Sequence, residues 1–223
     1  MQRAYRAPCR DAICHDARMT TLTFPLFPLG TVLFPGGVLP LQIFEVRYLD
    51  MIHHCIADDT PFGVVLLTQG SEVRKPQAVE QFMPFGTLAS VQETTASSPG
   101  LIELVCRGET RFRISASERQ PNGLWTAHTE LVESDKSIPI PPELQGAADA
   151  LDRVLASLTD VPERRWPVAP PFRMDDCGWV ANRWCDLLPL PNAQKHSMLM
   201  LDNPLIRLEL IHDVLDEHGM ITS

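Results

Sequence analysis

Lysine is scarce in this chain: Lys75, Lys136 and Lys195 are the only three among 223 residues. With a formal net charge of −9, the sequence lacks the basic face on which phosphate backbones bind, so nucleic acid is not an expected partner. No apolar run nears the roughly 20 residues of a membrane-spanning helix, and no membrane partner is expected either. A GxxxxGKS/T loop is missing, and with it the amide nest and lysine that cradle nucleotide phosphates. None of the six cysteines has CxxC spacing, and HExxH does not occur. A disulfide scaffold is thereby excluded, and neither metal nor cofactor is expected. Cys55, Cys106, Cys177 and Cys185 read as buried thiols of a reducing, cytoplasmic setting.

What the chain has instead is apolar sequence under strict punctuation. From Phe24 to Ile52, apolar runs are cut by Pro25, Pro28, Pro35, Gly36, Gly37 and Pro40. Proline donates no ladder hydrogen bond, so each one confines its strand to an edge, an end or a bulge. The spacing predicts strands over 22–27, 31–34 and 38–43. A helix is expected from Phe44, with Tyr48, Met51, Ile52 and Cys55 on one face, ending at Asp58-Asp59-Thr60-Pro61. Further strands are expected over 62–67, 85–91, 101–106, 110–115 and 124–128, with Gly108 breaking the longest stretch and Pro121-Asn122-Gly123 making a turn.

Beyond the stiff segment Ile138 to Pro142 the pattern becomes helical. Helices are predicted over 144–158, 175–187 and 192–201. A last one has Asn203 as its cap, Pro204 in its first turn and Gly219 as its stop. Residues 1–18 carry scattered arginines and no apolar stretch, and are expected to form a disordered extension ahead of Met19. The expected organisation is therefore an extension over 1–18, a β subdomain over 19–136 and a helical subdomain over 137–223. The class is α+β: a β pseudo-barrel of about six strands plus one helix, followed by a helical C-terminal lobe.

The segment FPLFPLGTVLFPGGVLPLQIFEVRY resembles the opening of the LON substrate-binding domain, the N-terminal domain of ATP-dependent Lon proteases. PFGVVLL at Pro61, FGTLASV at Phe85, GETRFRI at Gly108 and LLPLPNAQKHSMLMLDNPLIRLELI at Leu187 follow as in that family, from about Thr21 to Val214. The resemblance implies a PUA-like six-stranded pseudo-barrel with a helical bundle, and a non-catalytic module that binds polypeptide. The Lon peptidase serine and its lysine belong to a separate domain, for which this chain has no room. Cereblon also carries a LON domain, but its drug pocket lies in a zinc-bearing domain whose CxxC pairs this sequence lacks.

Several groupings invite chemistry, and simpler readings account for them. Lys195-His196-Ser197 falls on one predicted helix, where consecutive residues point apart, and reads as a solvated face. His53-His54 lacks a metal partner at i+4. Trp179 and Trp184 are five residues apart, cannot form one cage, and read as packing. Arg111 and Arg113, two apart in a strand, are expected to project to one side as a small positive stripe, with pairing to local acids as the alternative.

The expected polypeptide-binding residues are therefore Gln42, Glu45, Arg47, Tyr48, Arg111 and Arg113. Expected partners are unfolded or degron-bearing polypeptides, or a protease on which the chain acts as an adaptor. A reader of RNA or a small ligand is a weaker alternative.

Overall fold

The computed structural model describes residues 21–72, 79–98, 100–157 and 168–221. The expected extension over 1–18 and Trp166 lie outside them. Six strands come first: β1 (Thr21–Leu29), β2 (Val38–Ile43), β3 (Phe62–Gln69), β4 (Gln81–Ser98), β5 (Leu101–Arg119) and β6 (Trp125–Leu131), with α1 (Val46–Asp58) between β2 and β3. After a single 3₁₀ turn at Pro142–Leu144 come α2 (Gln145–Ala156), α3 (Cys177–Leu187), α4 (Asn192–Met200) and α5 (Pro204–Glu217). The architecture is thus the α+β pseudo-barrel and helical lobe.

The sheet runs in the order β2-β5-β4-β3-β1-β6, and β6 also pairs with β5. Five strands therefore close on themselves, and β2 stands outside the ring. This follows from the length of β5, whose residues 102–107 pair with β2 while residues 112–119 pair with β6. Gly108 does not break β5, contrary to expectation. A Cβ there would lie 2.1 Å from the Phe34 carbonyl oxygen, so the glycine lets the 33–37 loop lie against a continuous strand. That loop replaces the strand expected over 31–34. Its carbonyls are satisfied without a ladder: Thr87 Oγ1 donates to Leu33 O at 2.6 Å, and Gly37 N donates to Phe34 O at 2.9 Å.

Three apolar clusters organise the molecule. Phe24, Leu26, Val65, Leu88 and Phe112 fill the barrel, with the Phe24 and Phe112 rings edge-on at 4.9 Å. Tyr48, Met51, Ile52 and Cys55 pack one face of α1 onto the sheet against Phe27, Phe62 and Leu104. At ~1.5–3 kcal/mol for each large side chain buried, that face supplies most of what holds α1 in place. The third cluster joins the C-terminal helices to Val32, Phe34, Leu66 and Phe85, so one core runs from barrel to helices.

The helix signals correspond to real ends. Asp59 leaves α1 in the left-handed region at φ 51. Asp176 accepts from Trp179 N at 2.8 Å to cap α3, and Asn203 Oδ1 accepts from Leu205 N at 3.0 Å to cap α5. Trp184 donates its indole N–H to Ala147 O at 2.9 Å, fixing α3 against α2. No helix among the described residues is long and apolar enough to cross a membrane.

Candidate functional site

Because β2 hangs only on the first half of β5, its second edge has no strand partner among the described residues. β1 likewise pairs with β6 only as far as Leu26, while its last residues continue beside β3. Between the open edge of β2 and the end of β1 lies a groove of about 360 Å³. Its floor is Phe27, Leu29, Ile43 and Tyr48, and its rim includes Gln42, Glu45 and Glu72. Phe44, 53% exposed, sits at its mouth just ahead of α1, and Val46 beyond it is 71% exposed. On the other face of β2 a second depression, of about 430 Å³, is lined by Pro40, Gln42, Glu93, Thr95, Glu103 and Val105. Pro40, Leu41 and Gln42 contribute to both.

The start of α1 is held under this groove by an internal charge network. Arg47 is 5% exposed. Its guanidinium donates to Glu45 at 3.0 Å, to the Gly123 carbonyl at 2.7 Å and to Glu80 at 3.4 Å. Glu80 in turn accepts from the Trp125 indole at 2.7 Å and stands 3.8 Å from Arg119. The Arg47 guanidinium also lies 4.4 Å from the centre of the Tyr48 ring. A charge this deep is costly unless paired and hydrogen-bonded, and here it is both. Burial lifts the Tyr48 hydroxyl well above its ordinary pKa, with neighbouring Arg47 opposing, so it stays neutral at every physiological pH.

Of the six residues expected to bind polypeptide, Gln42, Glu45 and Tyr48 come together at the groove. Arg47 lies behind it, supporting Tyr48 and Glu45. Arg111 and Arg113 do not form the expected stripe. Arg113 is exposed, whereas Arg111 is 3% exposed between barrel and helices. There it donates to the carbonyls of Leu199 and Leu201 and to Asp135. Phe112 points the other way into the barrel and is buried too, so both faces of the strand are covered where the helices lie over Arg111. Arg111 is accordingly corrected from a surface contact to an internal one; its acids are Asp135 and Asp202, remote in sequence rather than local.

Phe27, Leu29 and Glu72 also line the groove, though no local pattern in the sequence marks them. The FPLFPL repeat held Phe27 and Leu29, but only the early end of the β1–β6 pairing turns them toward an opening. Other groupings resolve simply. His196 is buried rather than solvated, with Nε2 3.2 Å from the Phe85 carbonyl oxygen, and Ser197 donates to Ala193 O at 3.0 Å. Among the described residues no three His, Cys, Asp or Glu side chains converge as a metal site.

The chain matches the family model of the ATP-dependent protease La (LON) substrate-binding domain over residues 23–217, and it belongs to that family. It is 26% identical to a Lon protease of Anaeromyxobacter dehalogenans over 197 residues, 86% of this chain and 23% of the relative. It is 33% identical to Lon protease 2 of Myxococcus xanthus over 91 residues, 40% of this chain and 11% of that protein. The chain thus spans under a quarter of either relative. Among solved structures, a Lon N-terminal domain protein from Xanthomonas campestris superposes with a TM-score of 0.66 at 30% identity, covering 85% of this chain and 96% of that one. The N-terminal domain of Mycobacterium avium complex Lon protease has the same fold at 18% identity, with a TM-score of 0.57 over 88% of this chain and all of that one.

Proposed function

We propose that this chain is a non-catalytic polypeptide-binding module that takes an extended segment along the open edge of β2. The observation that carries the reading is that edge, unpartnered among the described residues and bordered by the groove of Phe27, Leu29, Ile43 and Tyr48. A strand laid there gains backbone hydrogen bonds whatever its sequence, and the groove selects among its side chains. Extended, unpaired backbone is a property of unfolded or degron-bearing chains, so these are the proposed occupants. Membership of a substrate-binding family supports the same assignment.

The relatives sharing this domain are Lon proteases, which favours a second role: an adaptor that passes its bound segment to a protease. The four described cysteines are free and buried, in keeping with a cytoplasmic setting.

Titration of a fluorescent extended peptide into the full chain tests the reading. Binding in the micromolar range is expected, typical of a small transient interface. N-methylation of alternate peptide nitrogens should abolish it, and Phe44→Ser should weaken it at least about fivefold, the effect of about 1 kcal/mol. No binding at about 1 mM peptide, equivalent to roughly −4 kcal/mol, would overturn it.

A further inference from the structure

The two faces of β2 present different chemistry, and a strand has two faces. Pairing sets Gln42 opposite Glu103 and Glu103 opposite Thr95, while Pro40 sits opposite Val105 and Val105 opposite Glu93. These six positions share one face and line the larger depression. Ile43 turns the other way and is buried in the floor of the apolar groove beside Phe27, Leu29 and Tyr48. Side chains of a strand added to β2 must alternate likewise, every second one entering the apolar groove and the others standing on the side of Gln42 and Glu103.

The charged residues lining that depression are all acidic, while Arg107, opposite Val38 at the end of the same face, donates to the Pro170 carbonyl at 3.1 Å. Glu93 is exposed at its rim, and Glu103 takes one long hydrogen bond, 3.3 Å, from Gln42 Nε2. Among the described residues neither depression is lined by lysine or arginine. The net charge of −9 adds a long-range pull of the same sign on a cation.

Resting on the reading above, we propose that the preferred occupant is an extended segment with apolar residues at alternate positions and lysine or arginine between them. β2 has six residues, so the segment needs about six, spanning roughly 20 Å. Its cations stand on the face of Glu103, one strand beyond β2, with Glu93 a further strand away, and its apolar side chains fill the groove below Phe44. Sequence selectivity therefore lies in the order of the residues as well as in their composition.

Four octapeptides titrated against the full chain separate the possibilities: alternating valine–lysine, the same residues in two blocks, alternating valine–glutamate and alternating valine–glutamine. The valine–lysine alternation should bind tightest. Its advantage over valine–glutamine should be up to about fivefold at low salt, the effect of one exposed ion pair, and should vanish near 1 M salt. The double variant Glu93→Gln, Glu103→Gln, both on the surface, should erase that advantage while leaving the valine–glutamine affinity and the thermal transition unchanged. Equal binding of blocked and alternating peptides, or of glutamate and lysine peptides, overturns this inference but leaves the polypeptide-binding reading standing. Failure of all four to bind overturns both.

Discussion

Arg111 on β5 places its Nη2 3.0 Å from Oδ1 of Asp135, in the segment that leads from barrel to helices. The other oxygen of the same carboxylate receives Arg207 of α5, which also donates to Asn182 Oδ1 at 2.9 Å and to the Met198 carbonyl at 3.0 Å. One carboxylate thus holds two buried guanidinium groups, one from each half of the molecule. Asp135→Asn would leave Arg207 without a counter-charge and Arg111 with only the exposed Asp202 at 3.4 Å. A loss of roughly 3–5 kcal/mol is expected in urea unfolding, the scale for breaking a buried pair. Arg113→Ala, on an exposed side chain of the same strand, should stay within about 0.5 kcal/mol.

Gly108 and Gly100 make a matched comparison. A methyl group at Gly108 would meet the Phe34 carbonyl oxygen at 2.1 Å, so backbone must move; at Gly100 nothing lies within 4 Å, and only its φ of +80 opposes a side chain. Gly108→Ala should cost on the order of 2 kcal/mol or more. Gly100→Ala should cost about 1 kcal/mol, the left-handed penalty alone. Thermal melts of both variants check the order.

Burial pushes the thiols of Cys106 and Cys185 up to about 12. The unfolded chain releases these protons near the ordinary value of 9.0. Between those limits the folded state holds more protons than the unfolded one. Stability present below about pH 9 is therefore lost as pH rises toward 12. At pH 8 neither thiol should react with a disulfide reagent until denaturant is added; rapid labelling of native Cys106 would contradict the packing described.

Glu80 touches none of the groove residues except through Arg47, yet it bears on them. Glu80→Ala removes a carboxylate that faces Arg47, Arg119 and the Trp125 indole. A destabilisation of roughly 3–5 kcal/mol is expected, because Arg47 stays buried with less compensation. Peptide affinity should fall with it, since α1 carries Tyr48 and Glu45 is its N-cap. Tryptophan fluorescence against denaturant and peptide titration at low temperature separate the two effects.

Local signals in the sequence translated well where the cause was local. Asn203-Pro204 named a cap, Gly219 ended α5 at φ +66, and the spacing of Tyr48, Met51, Ile52 and Cys55 gave the buried face of α1. Gln42, Glu45 and Tyr48 reach the groove because that groove is built around the β2–α1 junction, a contiguous stretch. Arg111 was misjudged because its partners are remote: Asp135 lies 24 positions away, and the carbonyls of α4 nearly 90. The 31–34 segment misled for the opposite reason. An apolar run does not say whether its carbonyls meet a neighbouring strand or a threonine hydroxyl such as Thr87.

Pro40 occupies the middle of β2, opposite Val105. Without an amide hydrogen it leaves a gap in any ladder that runs along this strand. A short guest can straddle such a gap, but stacking of further copies into a growing fibre is discouraged at the same spot. The residue that weakens the strand thus guards a permanently sticky border against runaway self-assembly.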